Sequence, residues 1–206
     1  MFVDIIEALR CPRPHDESQL VVAAGRVVER HILDGTLGCP ACGAEFKISA
    51  GITTFAIPAR PTPPTRADTT LGLRVAAFLE LTDAKGFAIL WGTWGAQVDA
   101  IQRVSDTPML LINPAPGFGG EPAGVLLCGD VAPLAPGSAR AAALDADMTP
   151  AQIASVARAV RSGGRLIGPV SLALPTGVTE VARDETLWVG EKPGSVRFVE
   201  LKKGGQ

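Results

Sequence analysis

Residues 58–66 read Pro-Ala-Arg-Pro-Thr-Pro-Pro-Thr-Arg, with four prolines in the seven positions from Pro58 to Pro64. Proline fixes φ and carries no amide hydrogen, so this stretch can neither continue a helix nor sit inside a sheet. It predicts an extended spacer. The chain is thereby divided into a module over 1–57, a linker over 58–66 and a larger unit over 67–206.

Beyond the linker, short apolar runs alternate with stretches of helical period. Leu71 to Leu81 has the spacing of a helix, and Phe87 to Trp91 that of a buried strand, followed by a helix over Gly95 to Val104. Met109 to Ile112, Val125 to Cys128 and Ala141 to Leu144 read as further strands. Thr149 is suited to cap a helix with Pro150 in its first turn, running to Arg161 and ended by Ser162-Gly163-Gly164. Arg165 to Leu172 is a fifth strand, and Leu187 to Val189 with Val196 to Leu201 suggest a closing hairpin. Strands alternating with helices imply parallel βαβ units, here with an antiparallel edge: an α/β fold.

Before the linker, Val3 to Leu9 reads as a short helix with Phe2, Ile5, Ile6 and Leu9 on one face. Leu20 to Ala23 and Val27 to Leu33 are β-type runs around Gly25. Phe46 to Ile48 and Ile52 to Phe55 flank Ala50-Gly51 as a hairpin would.

Of the four cysteines, Cys11, Cys39 and Cys42 precede the linker, and Cys128 lies in a predicted strand as a small buried hydrophobe. Zinc takes four N or S ligands in a tetrahedron, and Cys39-Pro-Ala-Cys42-Gly supplies two from one tight turn. Cys11 is the third ligand. His15 is the leading candidate for the fourth, with Asp16 and His31 behind it. The role would be structural, since no open catalytic position is marked.

The segment Ala8-Leu-Arg-Cys-Pro12 and, later, Cys39-Pro-Ala-Cys-Gly-Ala-Glu-Phe-Lys-Ile-Ser-Ala-Gly-Ile52 resemble the small zinc-ribbon proteins that activate partner methyltransferases, and their bacterial relatives. The likeness covers the first 57 residues and departs from the family at Pro14, where its second cysteine would stand.

Residues 71–203 resemble the Rossmann-like S-adenosylmethionine (SAM) methyltransferases. The likeness rests on Gly129-Asp-Val-Ala-Pro-Leu-Ala-Pro-Gly-Ser138 and on Ala159-Val-Arg-Ser-Gly-Gly-Arg-Leu166. It implies a SAM cleft bordered by Gly92, Gly95, Asn113 and Asp130. The cofactor motifs are eroded. Leu90 stands where the family has an acid, Trp94 stands at or beside the middle glycine, and Asn113 replaces the ribose-binding acid. Trp94 would fill the space the methionine moiety needs, and with Trp91 it could close the cleft. Asn113-Pro-Ala-Pro116 superficially matches an amino-methyltransferase motif but follows the second strand, not the fourth, and reads as a turn. Asp145 and Asp147 end the fourth strand, a position where capping or solvated carboxylates are common.

Two functions follow from these resemblances. One is a divergent, non-catalytic methyltransferase-like protein acting as a partner-binding or scaffold unit, for a protein partner or a second copy of itself. The other is an active SAM-dependent methyltransferase with its ribbon fused in cis. A net charge of −2 and scattered basic residues give no support to nucleic-acid binding. The absence of a basic n-region before a long apolar run, and of any run of about 20 apolar residues, predicts a cytoplasmic chain with no membrane segment.

Overall fold

The computed structural model describes residues 1–82, 86–118 and 123–194. Four helices and eleven strands are formed among them. In chain order these are α1 (Val3–Ile6), β1 (Val21–Val28), β2 (His31–Gly38), β3 (Glu45–Ser49), β4 (Ile52–Thr54) and α2 (Thr69–Phe78). Then come β5 (Ala88–Trp91), α3 (Val98–Gln102), β6 (Met109–Ile112), β7 (Gly124–Leu127) and β8 (Ala139–Ala143). The order ends with α4 (Pro150–Ala159), β9 (Val160–Pro169), β10 (Thr179–Arg183) and β11 (Leu187–Glu191).

The central strands are short and almost wholly apolar. Ala88–Trp91, Met109–Ile112 and Ala139–Ala143 are buried at every position, as a parallel sheet covered on both faces requires. Their side chains alternate between two cores. Ile89, Trp91, Leu110, Ile112 and Trp188 point into the one that includes α1, α4 and the N-terminal strands. Ala88, Leu90, Met109, Leu111 and Val189 point into the one built on α2 and α3. The α2 helix is capped by Asp68, whose carboxylate accepts from the amides of Thr70 and Leu71. The α4 helix opens with the expected Thr149 cap and Pro150, reinforced by the reciprocal Gln152 bond of a capping box.

All the strands lie in a single sheet of order β1-β2-β3-β4-β7-β6-β5-β8-β9-β11-β10. From β7 to β9 the strands are parallel, and the winding reverses between β5 and β8. The crevice beyond their carboxyl ends at such a reversal is where open α/β sheets bind ligands. Beyond β9 the antiparallel β11 and β10 close one side. On the other side β4 pairs in parallel with β7, Ile52 opposite Val125 and Thr54 opposite Leu127. Hydrogen bonding therefore runs without a break from the cysteine-bearing segment into the Rossmann-like sheet. A mixed α/β sheet with a parallel centre and antiparallel ends is the fold class the sequence implies.

Four expectations change. First, β1 passes through Gly25 with a register shift and turns at Glu29-Arg30 instead, both at positive φ (43° and 69°). Second, the helix expected over Gly95–Val104 is a 3-10 segment from Gly92 to Gln97 followed by the five-residue α3. Third, β9 begins at Val160, directly after α4; Gly163 adopts φ +72° within it, so the Gly-Gly pair lies inside the strand. Fourth, β11 pairs with the preceding β10 on one side and with β9 on the other; Val196 to Leu201, expected in the closing hairpin, lies outside the described residues. No described helix is long and apolar enough to cross a membrane.

Candidate functional site

The first site is the cysteine cluster. A hydrogen bond from the Gly43 amide to the Cys39 carbonyl (2.9 Å) and one from the Cys39 amide to the Ala44 carbonyl (2.8 Å) fold Cys39–Gly43 into a knuckle. Cys11 enters from the chain after α1. A tight turn, closed by the His15 amide on the Arg13 carbonyl at 3.0 Å, carries the chain past Pro14 and brings His15 back to the cluster.

The donor atoms of Cys11, His15, Cys39 and Cys42 all lie within 4.8 Å of one another. Cys11 Sγ is 3.8 Å from Cys42 Sγ, and Cys39 Sγ is 3.4 Å from His15 Nε2. A zinc tetrahedron with its usual bond lengths has edges of about 3.8 Å between sulfurs and about 3.5 Å between sulfur and nitrogen. The four donors fit that ion. His15 Nδ1 lies 2.6 Å from the Asp16 carbonyl; donating there leaves the Nε2 lone pair for a metal.

The thiols are not equivalent. Burial raises Cys39, but amide N–H groups of Cys42 and Ala41 and the Ser18 hydroxyl outweigh it and hold the thiol down to about 6. Burial, with the neighbouring thiols Cys39 and Cys42, pushes Cys11 up to about 11 against the backbone of Arg13. The two weaker candidates stand apart. Asp16 offers its backbone carbonyl to His15, and His31 is buried at the start of β2, edge-on to the Phe2 ring at 5.0 Å.

The second site is the crevice at the carboxyl ends of β5–β8. A cavity of about 280 Å³ opens there, close to the lower end of the ~300–1,000 Å³ range of small-molecule sites. Trp91, Gly92, Asn113 and Asp130 line it, together with Asp145, Asp147 and Gln152. The proline stretch forms its roof: residues 58–63 run across the opening, and the Thr62 hydroxyl donates to the Asn113 carbonyl at 2.6 Å. Of the four positions the resemblance implied, three border the cavity. Gly95 does not. It packs against the β6–β7 connection, where a Cβ would meet Pro114 at 3.1 Å.

Two of the remaining positions are committed to the protein itself. Gly92 turns at φ +61°, and a Cβ there would collide with the Asp145 carboxylate, whose Cγ would lie 3.0 Å away. That carboxylate accepts from the Thr93 amide (2.6 Å) and the Thr93 hydroxyl (2.7 Å), and its other oxygen accepts from the Ala146 amide (2.7 Å). An internal anion thus takes the donors that a glycine turn opening a helical segment would offer a ligand. Asn113, at φ +48°, is buried; its amide donates to the Cys128 carbonyl (3.0 Å) and accepts from the Cys128 amide (2.9 Å). The side chain continues the β6–β7 ladder by one rung.

Trp94 is turned out of the cleft, its indole N–H on the Leu144 carbonyl at 2.8 Å and its ring against the α2–α3 core. Trp91 alone borders the cavity. Cys128 is buried, which pushes its thiol up to about 12 in spite of the Asn113 amide and with help from Asp130. The Asp145 clamp had one legible signal, a carboxylate ending a strand. Its partner Thr93 had none.

No protein-family model matches the chain, and no curated protein matches it. Solved structures do, at low similarity. A putative SAM-dependent methyltransferase from Methanococcus maripaludis is 11% identical with a TM-score of 0.47, over 64% of this chain and 87% of its own. Geranyl diphosphate C-methyltransferase from Streptomyces coelicolor, in complex with S-adenosyl-L-homocysteine, is 14% identical with a TM-score of 0.42, over 48% of this chain. The chain spans 42% of that enzyme's length. The tRNA (m1A58) methyltransferase from Aquifex aeolicus is 12% identical with a TM-score of 0.41, over 59% and 68%. These are likenesses of fold to methyltransferases.

Proposed function

We propose that this chain is a methyltransferase-like protein that has given up methyl transfer and serves as a binding unit for a protein partner, with a structural zinc in its N-terminal ribbon. The observation that carries the reading is the Asp145 carboxylate seated on Gly92, which fills the cofactor turn from within. Asn113 points the same way, because its buried side chain is held on the Cys128 backbone, giving one hydrogen bond and accepting another, in the place where a ribose would need it. Trp91 and the strap over residues 58–63 narrow what remains.

Zinc held by Cys11, His15, Cys39 and Cys42 would neutralise the crowded thiolates and pin the loop after α1 to the knuckle. That loop leads into the rest of the molecule. The Arg10 amide donates to the Pro133 carbonyl, and Glu17 pairs with both Arg10 and Arg158 of α4.

Calorimetric titration of zinc-replete protein with SAM and S-adenosylhomocysteine tests the proposal. No saturable heat is expected. Saturable micromolar binding would overturn it and favour the second reading, an active methyltransferase with its ribbon in cis. One observation supports that alternative: a cleft survives at the strand ends with Asp130 at its rim.

A further inference from the structure

The three thiols of the cysteine cluster differ in what can reach them. Cys42 is exposed, Cys11 is half-buried, and Cys39 is buried within the larger of the two cores. They also differ in what they face. The Cys42 and Cys11 sulfurs are in contact at 3.8 Å, whereas the Cys39 sulfur lies 3.4 Å from Nε2 of His15. Cys42 and Cys11 are 31 positions apart in sequence, so a bond between them would join the chain leaving α1 to the knuckle. A bond between Cys39 and Cys42 would only tighten one turn. The fourth cysteine, Cys128, is buried just past β7 and has no part in the cluster.

An oxidant arriving from solvent therefore meets Cys42 first, with Cys11 as the sulfur next to it. With a peroxide the chemistry balances in two steps. The Cys42 thiolate attacks the O–O bond; an S–O bond forms, hydroxide leaves and takes a proton to become water, and Cys42 is left as a sulfenic acid. The Cys11 thiolate then attacks that sulfur; the S–S bond forms, the S–O bond breaks, and a second hydroxide leaves as water. The two sulfurs have together lost two electrons to one peroxide. A disulfide holds its sulfurs at about 2.05 Å, which leaves about 1.8 Å for the two side chains to close. Disulfide sulfurs no longer carry the charge that holds a metal, and Cys39 with His15 make only half of the donor set.

We propose that Cys42 and Cys11 are a peroxide-oxidisable pair, Cys42 the attacked sulfur and Cys11 the resolving one, whose disulfide takes the place of the zinc site. The zinc release rests on the structural zinc proposed above; the pairing of the sulfurs does not. The test treats reduced, zinc-replete, full-length protein with a small excess of hydrogen peroxide. Peptide mapping after alkylation of the remaining thiols is expected to find Cys11 linked to Cys42 within one chain, with Cys39 and Cys128 alkylated. A chromophoric chelator should register about one zinc released per disulfide, and dithiothreitol with added zinc should restore both. In Cys11→Ser protein the oxidised Cys42 lacks its partner, and a 1,3-diketone probe should trap it as the sulfenic acid. A Cys39–Cys42 or interchain disulfide, or Cys42 carried on to sulfinic acid in the wild type, overturns the proposal. Zinc retained after the Cys11–Cys42 bond has formed overturns the release. Reduced protein that takes up no zinc refutes the metal reading instead, and the same mapping then decides the sulfur pairing by itself.

Discussion

Asn113→Asp would install the acid that the resemblance to SAM-binding sheets implies at this position, and the packing around Asn113 predicts that it harms the protein. The native amide is 4% exposed and spends one donor and one acceptor on the backbone of Cys128. An ionised aspartate can still accept from the Cys128 amide. It cannot donate to the Cys128 carbonyl, which is left facing a second acceptor. An unsatisfied buried acceptor costs about 1–3 kcal/mol, and burial of the charge adds to it. A total near 3–4 kcal/mol at pH 7 follows, or a fall in Tm of roughly 6–16 °C for a chain of this size. The pH dependence has a definite sign. Burial and the opposing carbonyl favour the protonated acid, so the new carboxyl titrates higher in the folded state than in the unfolded chain, where it lies near ~3.9. The variant should therefore approach wild-type stability at about pH 4, where a protonated carboxyl can donate to Cys128, and lose stability as pH rises through the folded-state value. Thermal unfolding of both proteins from pH 4 to 8 measures this. Equal stability at pH 7, or SAM binding gained by the variant, would refute the view of Asn113 as a rung of the sheet.

Cys42→Ser should reduce zinc from about one ion per chain to a small fraction by elemental analysis and lower Tm with it; unchanged zinc content would remove Cys42 from the ligand set. Asp145→Ala frees the Thr93 and Ala146 amides and should cost about 2–3 kcal/mol, partly recovered in high acetate, because an external carboxylate can occupy the emptied turn. Chemical denaturation with and without acetate reads both effects, and a neutral substitution would contradict the clamp. Trp188 is fully buried against Gly168, with its indole N–H on the Leu172 carbonyl at 2.7 Å. Trp188→Ala should cost about 3–5 kcal/mol in the same assay, and a loss below about 1 kcal/mol would mean that this core collapses around the cavity.

The parallel centre of the fold is legible because its strands are apolar from end to end: Met109–Ile112 reads off the sequence at both boundaries. The Thr149-Pro150 start of α4 is equally plain, because capping chemistry is local. β10 was missed for the opposite reason. Thr179-Glu-Val-Ala-Arg183 is exposed at every position, so nothing in its pattern demands a sheet. The turn at Glu29-Arg30 forces two long charged residues into the left-handed region, where Gly or Asn would be expected, while the nearby Gly25 lies within β1. At the candidate sites, the grouping of Cys11, His15, Cys39 and Cys42 was visible as spacing: Cys39 and Cys42 share one turn, and His15 needs only a short turn to reach them. What Asn113 and Asp145 do was not visible. Their partners, Cys128 and Thr93, are set by which strands lie side by side, and that is decided far from them in sequence.

The parallel pairing of β4 with β7 settles the fate of an exposed edge. Without β4, residues 124–127 would offer an open row of amides and carbonyls on an apolar four-residue strand, the kind of surface on which chains stack into aggregates. The cysteine-bearing segment therefore acts as a built-in sheath. On oxidation of its thiols or removal of a metal from them, the first symptom to look for is turbidity from intermolecular strand pairing, ahead of any change in the groups around Asp130.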